Sequence, residues 1–204
     1  MTHRIVRLLT IAAATALPGC AGYVPPPPPC GTVAKVAHVT ALYGGNFAYV
    51  EHQGRLVPAT FGQPICYGDQ FRTGPGTKLE IAFESGGTVT LDVNTDPNFF
   101  QTAECLVISI FTGKMAVNKN DVCVQNGANK THQHSFVLYE AVPNSSSLAI
   151  TVIAGQVDTI SPRGYSINAG QMMVLRGGRA VAPPASVNPA VLARMQSWLP
   201  VVTP

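Results

Sequence analysis

Apolar and polar residues alternate most regularly between residues 77 and 93. Leu79, Ile81 and Phe83 interleave with Lys78, Glu80 and Ala82, and Val89, Leu91 and Val93 interleave with Thr88, Thr90 and Asp92. A period of two sends apolar side chains to one face of a sheet and polar ones to the other. Gly86-Gly87 between the runs predicts a tight hairpin, and Thr73-Gly-Pro-Gly76 is turn chemistry leading into it. Three further units have a related form, an alternating run, a glycine, and a second run. They are Leu42 to Val50 around Gly44-Gly45-Asn46, Leu106 to Val117 around Thr112-Gly113, and Leu148 to Thr159 around Ala154-Gly155. Each predicts two strands joined by a hairpin, and their unequal spacing excludes a strict repeat. The polar run from Asn126 to Ser135 predicts an exposed loop, with the next strand beginning at Phe136. The expected fold is all-β, either a short irregular β-solenoid or a two-sheet β-sandwich built from serial hairpins.

Both ends depart from this pattern. Near the C-terminus, Asn188-Pro189 predicts a helix cap followed by proline at the first helical position. Val191, Leu192, Met195 and Leu199 then fall near one face, with Trp198 adjacent and Pro200 as the stop. This short helix either packs back on the domain or offers Trp198 to a partner as an anchor. At the N-terminus, Arg4 and Arg7 precede a short apolar run ending in Leu17-Pro-Gly-Cys20. That arrangement resembles the signal peptide and lipobox of bacterial lipoproteins. It implies removal of residues 1–19, lipid on Cys20 and a membrane partner through that lipid. Ala21 after the cysteine implies an outer-membrane lipoprotein facing the periplasm. The run is too short for a spanning helix. Residues 20–30 include Pro25 to Pro29, which predict a stiff polyproline spacer of roughly 15 Å. A β-domain is expected over 31–181, and a linker with the short helix over 182–204.

The chain has 204 residues and a formal charge of +3. Arg4 and Arg7 supply two of those three surplus charges, so the mature chain is nearly neutral. With no basic stripe to neutralise phosphates, nucleic acid is excluded as a partner. If Cys20 takes lipid, Cys30, Cys66, Cys105 and Cys123 remain, an even set for an oxidising compartment. Four cysteines allow three pairings. The preferred one joins Cys105 to Cys123, closing a strand-turn-strand unit, and Cys30 to Cys66, pinning the first strand. Zinc held by cysteines is disfavoured because no Cys-x-x-Cys spacing exists.

The stretch Gly68-Asp69, Thr73-Gly74, then Gly87-Thr88 and Leu91 resembles the FecR domain. The resemblance returns at Ile150 to Val157 around Gly155, and at Ile167-Asn-Ala-Gly-Gln171 around Gly170, so that it spans about residues 31–181. His134-Ser135-Phe136 departs from the family's Gly-Thr-x-Phe group. The resemblance tips the fold towards a solenoid-like stack and implies an envelope binding domain rather than a chemistry. FecR itself signals to a sigma factor through cytoplasmic, membrane-spanning and C-terminal segments that are not expected here.

No catalytic motif stands out, and no enzyme activity or cofactor is expected. His132-x-His134 has a spacing that lets two strand residues face one ion. With no third ligand beside it in the sequence, the pair is taken as solvated and no metal is expected. Asp69, Asp92 and Asp96 could hold calcium or act hydrolytically, but turn and hairpin-end roles explain them more simply. The expected function is a non-catalytic binding or scaffolding module that docks on an envelope protein or glycan. An accessory regulator of cell-surface signalling is the second reading, and an envelope-polymer hydrolase the third.

Overall fold

The computed structural model describes residues 30–31, 33–45, 47–160 and 163–199. The expected leader, Cys20 and the proline run lie outside the described residues. Sixteen strands follow in chain order: β1 (Lys35–Gly44), β2 (Ala48–His52), β3 (Arg55–Pro58), β4 (Pro64–Cys66), β5 (Gln70–Thr73), β6 (Thr77–Phe83), β7 (Thr88–Leu91) and β8 (Asp96–Gln101). Then come β9 (Leu106–Asn126), β10 (Asn129–Ala141), β11 (Ser147–Ala154), β12 (Gln156–Thr159), β13 (Ser166–Asn168), β14 (Gln171–Arg176), β15 (Arg179–Ala180), β16 (Ala185–Ser186) and helix α1 (Pro189–Gln196). Among the described residues the fold is all-β with one short C-terminal helix, and the antiparallel sheet does not close into a barrel.

Strand pairing sorts into two layers that share β9 and β10. One layer runs β4-β1-β6-β7-β9-β10-β11-β14-β15, with β16 on β14. The other joins β3, β2, β5 and β8 to the start of β9, and β13 and β12 to the start of β10. The apolar faces meet between the layers. Phe83 of β6 lies edge-on to Phe99 of β8 at 5.9 Å, and Phe99 meets Phe71 of β5 at 5.0 Å. Leu79, Ile81, Val89, Leu91, Ile108, Val137, Ile150 and Val157 are fully buried in the same core. Burying each such side chain stabilises the fold by roughly 2 kcal/mol relative to leaving it exposed.

The hairpin of β6 and β7 forms as its alternation predicts, with Leu79 opposite Leu91 and Ile81 opposite Val89. The other glycine units behave differently. β1 and β2 do not pair, so Gly44 ends a strand in one layer and the chain passes to the other. In β9, residues up to Thr112 pair with β8, while Gly113 and beyond pair with β10 and then β7. Gly113 has φ +91°, and a Cβ there would strike Thr95. Gly155 has φ +71°, and a Cβ there would strike Ser135; before it β11 pairs with the end of β10, after it β12 pairs with the start. These glycines turn corners between layers where a side chain would both strain the backbone and clash.

The long strand β9 crosses twice. Cys105 and Cys123 come within 5.9 Å (Cα–Cα) and are disulfide-bonded. Beyond them Gln125 Nε2 donates to Ser109 Oγ at 2.6 Å, and Asn126 Nδ2 donates to the Ile110 carbonyl at 2.8 Å. The two ends of one strand therefore lie side by side, running the same way, after one turn of a coil. Sandwich and solenoid meet in this chain: two layers, wound by a path that keeps changing layer.

The segment 126–135 is not the exposed loop its polarity predicts. A turn at residues 127–128 joins β9 to β10, and Asn126, Asn129, Thr131 and Gln133 are buried. Their side chains take main-chain partners: Asn129 Nδ2 donates to Ser146 O (2.7 Å), and Gln133 Nε2 to Lys119 O (2.7 Å) and Ser135 O (2.9 Å). Burial of these donors is tolerable because they are hydrogen-bonded, whereas Gln133 Oε1 is buried without a partner.

Helix α1 begins as expected, with Asn188 Oδ1 accepting the Ala190 N–H at 2.9 Å and Pro189 at the first helical position. It folds back on the layer containing β10 and β11. Arg194, Met195 and Trp198 face Leu138, Ala149 and Thr151 across a small cavity. Leu138 and Thr151, on the outward side of their strands, are consequently buried.

Candidate functional site

The residues singled out in the sequence fall into a scaffold and a surface. Gly68 stands at the corner between β4 and β5, Gly74 between β5 and β6, and Gly170 between β13 and β14. Gly87 closes the β6–β7 turn beside Thr88, the first residue of β7. Asp69 is buried: its Oδ1 lies 2.5 Å from His52 Nδ1, and its Oδ2 accepts the Cys66 N–H at 2.9 Å. Thr73 Oγ1 donates to the Asp92 carbonyl (2.5 Å) and accepts the Thr95 N–H (2.9 Å), tying β5 to the corner before β8. The motif residues thus hold corners together.

Both preferred disulfides are present. Cys30 bonds to Cys66 and Cys105 to Cys123. The three aspartates do not act as one cluster, since each has its own partner. Asp69 meets His52, Asp92 lies 3.8 Å from Lys78 Nζ, and Asp96 meets Arg72 at 3.4 Å and Gln70 Nε2 at 2.7 Å. Trp198 is half-buried against the domain. Lys78 Nζ donates to its carbonyl and sits 5.7 Å from its ring centroid, a cation–π distance.

Two surface features remain. The first is a pair of adjoining shallow clefts at one end of the sandwich, which share Asn94 and Thr112. Phe47, Tyr49, Arg72 and Pro75 rim one, and Lys114, Glu140 and Val142 rim the other. Phe47 and Val142 are exposed there, apolar groups left in water beside charged ones.

The second is where β9 and β10 change register. Val122 pairs with Gln133 and Asn120 with His134, which leaves Asp121 as the extra residue of a bulge, at φ +57°. The bulge turns its carboxylate toward the histidine pair. Asp121 Oδ1 lies 3.5 Å from His134 Nδ1 and 3.9 Å from His132 Nε2, and the two rings are 4.5 Å apart. Asp158 of β12 approaches His134 Nε2 from the other side at 3.8 Å. Hydrogen bonds from Ser166 and Gln156 hold the Asp158 carboxyl below the usual carboxylate range, and the charges of His134 and His132 act the same way. Sequence reading found the histidines and missed both carboxylates. Asp121 is eleven and thirteen residues away across a hairpin whose second strand has the polarity of a loop.

Two solved structures of a protein from Parabacteroides distasonis ATCC 8503, described as a "putative anti-sigma factor", share this fold. For each the TM-score is 0.52 and the identity 13%, over 62% of this chain and 64% of that one. The similarity therefore spans less than two thirds of that protein's length. No family model and no curated protein matches the sequence. Among the described residues no helix is long and apolar enough to cross a membrane.

Proposed function

We propose that this chain is a FecR-like, non-catalytic binding module of the bacterial cell envelope, anchored to the outer membrane by lipid on Cys20 and facing the periplasm. The observation that carries this reading is the fold shared with the Parabacteroides protein, in company with the motif residues that resemble the FecR domain. Those residues sit at corners and buried hydrogen bonds, which suits a domain type defined by its scaffold. Binding would then use surface that the scaffold leaves free. The exposed edge of β3 and the outer side of helix α1, which precedes Trp198, are the surfaces to test, with an envelope protein or glycan as partner.

A second reading, an accessory role in cell-surface signalling, is favoured by the description of that same structural relative. Crosslinking in living cells, followed by purification from membranes and mass spectrometry, tests both. A stoichiometric envelope protein recovered with the chain supports docking, and a sigma-regulatory protein among the partners selects the second reading. Recovery of the chain alone favours glycan over a protein partner. An unmodified Cys20 would sink the lipid anchor.

A further inference from the structure

We propose that Asp121, His132 and His134 form a binding site for a divalent transition-metal ion of the zinc class. One donor atom from each of the three side chains lies within 4.8 Å of the others. Tetrahedral zinc, with bonds of about 2.0–2.1 Å to nitrogen and oxygen, needs its ligand atoms about 3.4 Å apart. The Asp121–His134 distance of 3.5 Å already meets that, and the 3.9 Å between Asp121 and His132 misses it by little. The two histidine nitrogens, within 4.8 Å of each other, and the Asp121–His132 gap would both have to tighten by rotamer adjustment of these partly exposed side chains.

Two features separate this group from a chance meeting of polar residues. First, His132 Nε2 is shielded from solvent and has no hydrogen-bond partner, although it faces the Asp121 carboxylate. A shielded imidazole nitrogen without a partner is costly, and a bound cation would satisfy its lone pair. Second, the carboxylate comes from a bulge that forces a non-glycine residue to positive φ. Aspartate tolerates that conformation better than most residues, and here it yields a third ligand that a regular ladder would have pointed elsewhere.

The surroundings fit the same chemistry. His134 presents Nδ1 to Asp121 and Nε2 to Asp158, whose carboxylate is fixed by Ser166 Oγ at 2.7 Å and Gln156 Nε2 at 2.9 Å. A carboxylate behind a ligating histidine sets the ring's tautomer and orientation. Two imidazoles and one carboxylate favour zinc, copper(II) or nickel(II) over calcium or magnesium, which prefer all-oxygen shells. Three protein ligands leave a fourth position for water, and Asp121 is largely exposed, so the ion can exchange with solution. The grouping of His52, Cys66 and Asp69 offers no rival site. Cys66 has its sulfur in a disulfide, and Asp69 already bonds through both oxygens.

Calorimetric titration of the full chain, purified in detergent and stripped with chelator, tests the proposal with zinc chloride as the probe. One ion per chain is expected, with no heat from calcium or magnesium. The His132→Asn/His134→Asn double variant should lose binding. Asp121→Asn should weaken it at least about 10-fold, and Asp158→Asn by about 10- to 100-fold at unchanged stoichiometry. Circular dichroism identifies any variant that has failed to fold. X-ray absorption at the zinc edge on the unaltered protein reads the ligands independently of the variants and should show imidazole nitrogen. Absence of saturable binding, unchanged binding in a folded double variant, or a spectrum lacking imidazole would each overturn the assignment.

Discussion

The β6–β7 hairpin and the β9–β10 hairpin are built on opposite logics. In the first, the inward positions Leu79, Ile81, Phe83, Val89 and Leu91 are apolar, with Thr77 at the start of β6 the one polar exception. The turn is Gly86-Gly87, and register follows from alternation, since a slip by one residue would put Lys78 and Glu80 into the core. In the second, the strands carry Asn126, Asn129, Thr131 and Gln133 into buried positions, bend at Gly113 and contain a bulge. Register there depends on side-chain bonds to particular carbonyls and on the Cys105–Cys123 link. Hydrophobic pattern can specify a flat pair of strands. A pair that must coil through two layers needs directional contacts at its corners.

The contrast predicts different failures. Ile81→Ala in the first hairpin should cost about 3 kcal/mol by cavity formation, read as a lower midpoint in chemical denaturation with an unchanged slope. Replacing Cys105 and Cys123 by serine should cost roughly 2–4 kcal/mol, and hydrogen exchange should show the added opening near residues 105–110 and 123–126, sparing β6 and β7. Equal deprotection of both hairpins would abolish the distinction. Gln133→Ala should cost about 1–3 kcal/mol by orphaning the Lys119 and Ser135 carbonyls, although it removes little apolar area. A cost near zero would mean that the polar bonds do not set register.

The smallest effect is confined to alkaline pH. Tyr139 is wholly buried, with its hydroxyl 3.2 Å from Thr131 Oγ1, and burial pushes its phenol well above the ordinary tyrosine range. A folded-state pKa raised above the unfolded value gives stability that is complete below about pH 10 and is lost as the pH rises beyond it. Tyr139→Phe should remove that alkaline decline while leaving the neutral range almost unchanged. A melting profile that still falls at high pH by the same amount would assign the decline to another group.

What could be read from the sequence follows the same division. The β6–β7 strands and the Asn188-Pro189 helix start were legible because each rests on a local signal, and the disulfides because four cysteines allow only three pairings. The glycine units were placed correctly and misjudged as hairpins: Gly44, Gly113 and Gly155 mark where the chain turns, but not whether the next strand pairs with the last or crosses to the facing layer. The strand from Asn129 to Ser135 was hidden because hydropathy treats a buried, hydrogen-bonded glutamine like a solvated one. Asp121 was hidden for a further reason, since a bulge is a mismatch between two strands and neither carries it alone.

The Cys30–Cys66 bond has a mechanical consequence. Cys30 is where the chain enters the described domain, and Cys66 ends β4, beside the corner that holds Asp69 and His52. Tension arriving along the chain from residues before Cys30 passes through this covalent link to Cys66, and β1 to β3, which lie inside the 36-residue loop, are shielded from it. A tug from that side is therefore borne where Cys66 adjoins the buried Asp69, and the first three strands stay slack.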